Sequence, residues 1–138
     1  MYPKQIVLPM KAELTVAGFE DLTTSDAVES AINSTEGTHL LVVNSVCGCA
    51  AGAARPGVKL SLTGDGKKPN KLSTVFAGFD KEAVSQARQH FLPYPPSSPA
   101  IALFKDGKLV HFIERHHIEG RSAQMIAGNL QAAFDQYC

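Results

Sequence analysis

Apolar side chains recur every three to four residues in four segments of the chain, which is the spacing of one face of an amphipathic helix. These predicted helices span residues 3–17, 25–37, 80–91 and 122–137. Residues that commonly cap helix N-termini stand at the start of two of them: Thr24 or Ser25 for the second, and Asp80 for the third. A fifth, shorter helix is predicted at 50–54, where Ala and Gly dominate.

Four other segments have the apolar composition of strands. Residues 40–43 form a continuous apolar run without alternation, which is typical of a strand covered on both faces in a parallel sheet. Residues 72–77 predict a second strand. The runs 100–104 and 109–113 are joined through Asp106-Gly107, and an Asp-Gly pair between two apolar runs predicts a tight hairpin.

The order of these elements from residue 39 onward is β-α-β-α-β-β-α, with two helices before it. A parallel βαβ unit followed by a helix and a hairpin is the minimal thioredoxin-like arrangement. We therefore predict an α/β fold with a central mixed sheet of about four strands flanked by helices. Residues 1–138 are expected to form one domain, with a helical N-terminal extension at 1–38 and the thioredoxin-like core at 39–138.

Composition narrows the possible functions. The 138 residues are 44% apolar and include thirteen Lys and Arg against thirteen Asp and Glu. A net charge of zero argues against a nucleic-acid partner or a polybasic membrane contact, because both require a field of one sign. No apolar run approaches the roughly 18 residues of a membrane span, and the start of the chain lacks the apolar core of a signal peptide. These features predict a cytoplasmic protein.

Three cysteines carry the candidate chemistry: Cys47, Cys49 and Cys138. An odd number without an export signal argues against a structural disulfide framework, and closely spaced cysteines in a reducing compartment are more often catalytic or metal-binding. Cys47 follows the predicted strand at 40–43, at the carboxyl end where functional groups of parallel sheets are found. Cys138 has no predicted role.

The position of Cys47 between a strand and a helix favours its thiolate. Unpaired backbone N–H groups at the helix start, together with the helix dipole, stabilise the anion that attacks a disulfide. We predict that Cys47 is the nucleophile and that Cys49 is the resolving thiol, with Gly48 allowing the tight turn that brings them together. A cis Ser98-Pro99 bond before the third predicted strand is expected beside them, and Gly48, Ser98 and Pro99 are predicted to contact substrate.

Two other types of functional site share some of these residues. Cys49 and Arg55 have the five-residue separation of a phosphatase phosphate loop, but the intervening Ala-Ala-Gly-Ala-Ala favours a helix over a phosphate-binding cradle. Arg55 is therefore predicted to be a surface or charge-pairing residue. Metal or iron–sulfur binding through Cys47 and Cys49 stays an alternative, in which Cys138 and a histidine would complete a zinc site. The favoured prediction is that no metal is bound.

Adjacent histidines give no further support for a metal. His116 and His117 would point in opposite directions on an extended chain and could not chelate one ion together. The role of His116 stays open.

With these residues in view, the chain resembles the bacilliredoxin family of thioredoxin-like proteins. The resemblance extends from Leu8-Pro9-Met10 to Cys138 and is carried by the segments at 42–52, with its Cys-Gly-Cys sequence, at 75–78, at 97–99 and at 111–120.

The resemblance implies an activity that spacing alone does not give. Bacilliredoxins remove bacillithiol from S-bacillithiolated cytosolic proteins, and a weak disulfide isomerase activity is associated with the family. The nucleophile of the family corresponds to Cys47 and its second motif cysteine to Cys49. The expected partners are therefore bacillithiolated proteins and bacillithiol itself, which acts as co-substrate without a bound cofactor. Isomerisation of protein disulfides is the alternative activity.

Overall fold

The structure, a computed structural model, describes residues 1–34 and 36–138. Its centre is a five-stranded sheet in the order β1-β3-β2-β4-β5. The strands are β1 (Glu20–Asp21), β2 (Thr38–Asn44), β3 (Lys71–Phe76), β4 (Ala100–Lys105) and β5 (Lys108–Ile113). Strand β3 runs parallel to both β1 and β2, whereas β4 is antiparallel to β2 and β5 antiparallel to β4. The sheet is mixed, as predicted, with one strand more than the four expected.

Helices cover both faces of this sheet. They are α1 (Lys4–Thr15), α2 (Ser25–Asn33), α3 (Arg55–Ser61), α4 (Lys81–Gln89), α5 (Arg115–Ile118) and α6 (Ala123–Tyr137), and a π-helical turn (Ala50–Ala54) leads directly into α3. Apolar residues of α1, α3 and α6 form one core against the sheet, and those of α2 and α4 form a second core on the opposite face. None of the described helices is long and apolar enough to cross a bilayer.

Strand β2 lies in the middle of the sheet and is buried along its whole length. Leu40 and Val42 point into the core with α3 and α6, while Leu41 and Val43 point into the core with α2 and α4. Since both faces are covered, the four central positions of the strand, residues 40–43, are all apolar and show no alternation. The prediction from the continuous apolar run is confirmed.

Local turn and cap chemistry also follows the sequence. The backbone N–H of Ala27 donates to the Thr24 hydroxyl at 3.1 Å, which makes Thr24 rather than Ser25 the cap of α2. Asp106 and Gly107 have φ angles of 51° and 80° and connect β4 to β5, as a two-residue hairpin with positive φ requires. Helix α2 ends at Asn33, earlier than the predicted end near residue 37.

The N-terminal extension is not purely helical, because it contributes β1 to the edge of the sheet. Lys11 of α1 is 6% exposed, and its ammonium donates to Asp21 of β1 at 2.9 Å and to Asp80 at 2.6 Å. Asp80 stands at the start of α4, as predicted, but its carboxylate binds Lys11 instead of capping the helix. These two ion pairs of Lys11 connect α1, β1 and the start of α4. The spacing of apolar residues predicts local helices and does not reveal such contacts between distant segments.

A buried histidine in β2 makes stability depend on pH. His39 is 1% exposed, its Nε2 lies 2.8 Å from the Ser73 hydroxyl, and burial, with a smaller contribution from Lys71, lowers its pKa to about 4. Between pH 6.5 and 4 the unfolded chain binds a proton at this position and the folded chain does not, so stability falls as pH falls. We expect His39 to account for a loss of about 3 kcal/mol across this range.

Urea denaturation of the wild type and of His39→Gln at a series of pH values measures this loss. The variant cannot titrate at residue 39, so its unfolding free energy should fall less steeply below pH 6.5 than that of the wild type. Equal slopes in the two proteins would show that carboxylates alone account for the acid sensitivity.

Candidate active site

The two neighbouring cysteines lie where β2 ends and the helical segment that includes α3 begins. Both Cys47 and Cys49 are free thiols and partly buried, and Cys49 also packs against the core beneath α3 and α6. The backbone is helical from Gly48 onward, and the N–H groups of Ala50 and Ala51 donate to the Cys47 carbonyl at 3.0 and 3.1 Å. The strand–helix junction predicted for Cys47 is therefore present.

Hydrogen-bond donors converge on the Cys47 sulfur. The backbone N–H of Cys49 lies 3.4 Å from Cys47 Sγ. The pKa of Cys47 is lowered, first by the hydrogen bond from the Cys49 thiol and then by the backbone N–H groups of Cys49 and Ala50 and the charge of Arg115, against an opposing effect of burial. Each of these donors or charges interacts more favourably with a thiolate than with a thiol.

Cys49 has the opposite electrostatic environment. Burial raises its pKa, and the hydrogen bond to Cys47 and the negative charge of that thiolate raise it further. The first proton therefore leaves Cys47. Cys49 keeps its proton, and its thiol donates a hydrogen bond to the Cys47 sulfur. This difference gives the two cysteines distinct chemical characters although they are only two residues apart.

Arg55 holds the loop that leads to Cys47, and the prediction that it is a surface residue is wrong. Its side chain is 2% exposed, and its guanidinium donates to Asn44 Oδ1 at 2.9 Å and to the Ser45 carbonyl at 2.7 Å. It also pairs with Glu13 at 3.1 Å, so its predicted charge-pairing character is confirmed. The Ser45 hydroxyl in turn accepts the Cys47 N–H at 3.2 Å.

Gly48 is exposed, and its backbone is outside the left-handed region. A Cβ added at this position would meet no atom within 4 Å among the described residues. The reduced form of the protein therefore has no steric requirement for glycine between the two cysteines.

The Ser98-Pro99 peptide bond is cis, as predicted, and lies beside Cys47. Arg115 connects this bond to the thiols: its backbone N–H donates to the Ser97 hydroxyl at 2.7 Å and its Nη1 to the Ser98 carbonyl at 3.3 Å. Its Nε also pairs with Glu119. Sequence reasoning assigned no role to Arg115, although the segment at 111–120 was already prominent in the family resemblance.

The histidine pair differs from its predicted geometry. His116 and His117 lie in α5, a one-turn helix that the sequence pattern did not predict, and their ring centroids are 4.0 Å apart. Together with Glu114 they place three ligand-type atoms within 4.8 Å of one another. His117 Nδ1 also accepts the Glu114 N–H at 3.3 Å. The prediction that these rings point apart is therefore wrong, because the chain is helical at this point.

Cys138 lies at the end of α6, away from the other two cysteines. One helical turn before Cys138, the Asp135 carbonyl accepts a hydrogen bond from Lys67, which lies in the loop after the C-terminal end of α3. Cys49 instead lies just before the helical segment that leads into the N-terminal end of α3. The intervening helical segment from 50 to 61 is about 18 Å long. The described structure therefore does not bring the three cysteines into one metal site.

A free, activated thiol beside a second thiol can undergo exchange with a disulfide, because a thiolate attacks sulfur and a neighbouring thiol then displaces the product. The comparisons with known proteins agree with this chemistry. A family model described as disulphide isomerase matches residues 2–138. A bacilliredoxin from Cytophaga hutchinsonii is 65% identical over 136 residues and spans 99% of both chains. A bacilliredoxin from Bacillus cereus is 51% identical over 99% of this chain and 95% of its own.

Solved structures with the same fold are more distant in sequence. A thioredoxin of Malassezia sympodialis superimposes with a TM-score of 0.59 at 17% identity, over 87% of this chain and 90% of its own. A thioredoxin of Fasciola hepatica gives a TM-score of 0.58 at 16% identity, over 87% of this chain and 100% of its own. The predicted thioredoxin-like fold is confirmed.

Proposed function

The chain belongs to the bacilliredoxin family and is a thiol–disulfide oxidoreductase, and we propose that its substrates are S-bacillithiolated proteins of the cytoplasm. Cys47 is the proposed nucleophile, and Cys49 or free bacillithiol is the proposed resolving thiol. No bound cofactor takes part in this reaction. Bacillithiol is its co-substrate.

The observation that carries the proposal is the opposite direction of the two pKa shifts at one site. The pKa of Cys47 is lowered, whereas that of Cys49 is raised. Lowering the pKa of a thiol increases the fraction of thiolate available for attack at a given pH, while the protonated partner does not compete for the same sulfur. The partly buried Cys47 lines a groove together with Ser98 and Arg115, and this groove has room for a substrate next to the cis bond.

The reaction consists of exchanges that need no external oxidant. Cys47 thiolate attacks the bacillithiol sulfur of the mixed disulfide, a new bond between Cys47 and bacillithiol forms, and the target cysteine leaves as a thiolate and takes a proton from water. The adduct is then cleared by one of two thiols. Cys49 displaces bacillithiol and forms the Cys47–Cys49 disulfide, which two molecules of a low-molecular-weight thiol reduce, or free bacillithiol attacks the adduct and leaves as its own disulfide.

Isomerisation of protein disulfides is the second candidate. It is favoured by the description of the matching family model as disulphide isomerase. Both activities begin with attack by Cys47, so they differ in the substrate disulfide that the protein accepts.

The Cys49→Ala variant tests the proposal. Mixed with a bacillithiolated model protein, it should retain the first exchange and lack the internal resolving thiol, so that one bacillithiol accumulates on Cys47 while the target is released. Intact mass measured over time detects both products. The wild type is the matched control and should show only a transient adduct.

Other outcomes reassign the function. If Cys49→Ala accepts no bacillithiol, the assignment of roles to the two cysteines is wrong. If neither protein takes up bacillithiol but scrambled disulfides are rearranged, isomerase activity replaces the proposal. If no exchange occurs with any substrate, the pair is not redox-active, and stoichiometric metal in the purified protein would support the carrier alternative.

A further inference from the structure

A groove beside Cys47 extends away from the sulfur toward helix α4. Its volume is about 430 Å³, within the range of small-molecule sites, and its walls include Tyr2, Gly78, Arg88 and Arg115. Ala77 and Gly78, just after β3, also line the groove. The groove is therefore of the right size for the non-sulfur part of a small thiol attached to Cys47.

The groove is positively charged. Two of the residues that line it are arginines and none is acidic. Arg88 also lines a neighbouring depression along α4 that contains Lys81 and again no carboxylate. Arg115 borders a depression on the other side, where Glu114 and Glu119 lie. No acidic residue thus lines the groove or the neighbouring depression on the α4 side, while the depression on the α5 side contains both signs.

The two arginines differ in their partners. Arg115 is exposed and already pairs with Glu119. Arg88 has a buried Nε without a hydrogen-bond partner among the described residues, and burial alone lowers its pKa. A partly buried guanidinium without an anion is costly, because the lost hydration is not replaced. A carboxylate in the groove would supply the missing negative charge.

We propose that this groove is a subsite for the carboxylate end of an anionic small thiol, held by Arg88 while the sulfur of the same molecule is bonded to Cys47. The inference rests on the proposed function, since it concerns the thiol that Cys47 takes up. It makes Arg88 a specificity-determining residue for the small thiol. A thiol without a carboxylate would react at Cys47 without this contact.

The test compares two mixed disulfides of one model protein, made with mercaptosuccinate, which has two carboxylates, and with thioglycerol, which is uncharged. For each, the rate at which the model protein is released from the small thiol is measured by intact mass. Arg88→Gln should slow the reaction of the mercaptosuccinate adduct about tenfold, as expected for one charged hydrogen bond, and change that of the thioglycerol adduct less than about twofold. Arg88→Lys, which keeps the charge, should retain most of the preference.

Arg121→Gln is the matched control, because Arg121 is exposed and lines a different cavity. It should leave the ratio of the two rates unchanged. A measurement on the wild type alone does not depend on any variant folding: succinate, which has the carboxylates and no thiol, should compete with the mercaptosuccinate adduct, whereas glycerol should not.

Several results would overturn the subsite. Equal slowing of both substrates by Arg88→Gln would show that Arg88 has a structural role. Unchanged rates for both substrates, or no competition by succinate, would show that Arg88 does not recognise the small thiol. A further thioglycerol substrate can be made from a second model protein that has acidic residues beside the modified cysteine. If Arg88→Gln slows only that substrate, Arg88 binds the target protein and not the small thiol. If the wild type takes up neither small thiol, the proposed function itself fails, and the subsite with it.

Discussion

Replacing Cys47 by serine should lower the rate of thiol transfer by roughly three orders of magnitude or more, because loss of the nucleophile removes the whole covalent pathway. The serine hydroxyl fits the same position and can accept the same backbone N–H groups. It is not ionised at neutral pH, and it forms no disulfide with the small thiol. Intact mass after mixing with a bacillithiolated model protein should show neither an adduct on the variant nor release of the target.

Cys138→Ser is the matched control for this experiment. It makes the same chemical change at an exposed thiol near the far end of α6, so its transfer rate should equal that of the wild type. Thermal unfolding of both variants verifies that the fold is intact. Transfer retained by Cys47→Ser would move the nucleophile to Cys49 or Cys138, and the combined variants would show which of the two it is.

Local patterns predicted the parts of the fold that local chemistry determines. The apolar run of β2, the positive-φ turn at Asp106-Gly107 and the hydroxyl cap at Thr24 depend on neighbouring residues and on burial on both faces. The cis Ser98-Pro99 bond was predicted from its place in the order of elements. These features together place Cys47 at its strand–helix junction.

Features that depend on distant partners were not predictable in the same way. Strand β1 has two polar residues and therefore no apolar signal, and it exists through pairing with Ser73 and Thr74. Arg55 follows a run of Ala and Gly and has no local mark of burial, because its partner Glu13 lies 42 residues earlier. A charged residue is usually exposed, so a sequence pattern assigns it to the surface unless its partners are known.

Arg88 and Arg115 show the same limit at the site itself. Each lies on a helix of its own, and only the packing of α4 and α5 around the end of the sheet brings both to the groove at Cys47. The sequence shows two cysteines and their immediate backbone. The charges that act on the sulfur, and those available to a substrate, come from the tertiary fold.

Removal of the Arg55 side chain is the second prediction with a large expected effect. Arg55→Met keeps the length of the side chain and loses its three polar contacts. The Ser45 carbonyl, held by Arg55 at 2.7 Å, would then lose its guanidinium donor, and Asn44 would lose one of its hydrogen bonds. Unmet buried acceptors of this kind cost about 1 to 3 kcal/mol each, so we expect the unfolding free energy to fall by about 2 to 4 kcal/mol.

Urea denaturation measures this loss, and Glu13→Gln is its matched control. Glu13 is 41% exposed, so its ion pair with Arg55 contributes less than about 1 kcal/mol, and the control leaves both contacts of Arg55 to the loop in place. Arg55→Lys separates charge from geometry, because lysine keeps the cation and lacks the planar fork that reaches two acceptors. It should behave more like Arg55→Met than like the wild type.

The same variants show whether Arg55 also positions the nucleophile. Ser45 accepts the Cys47 N–H, so a loosened Ser45 should weaken the arrangement that holds Cys47 Sγ near the Cys49 N–H. The pH at which Cys47 becomes reactive toward iodoacetamide should therefore rise in Arg55→Met and stay unchanged in Glu13→Gln, under conditions where both are folded. A loss of stability with no change in this pH profile would restrict Arg55 to the core, and a stability change below 1 kcal/mol would show that other contacts hold the loop.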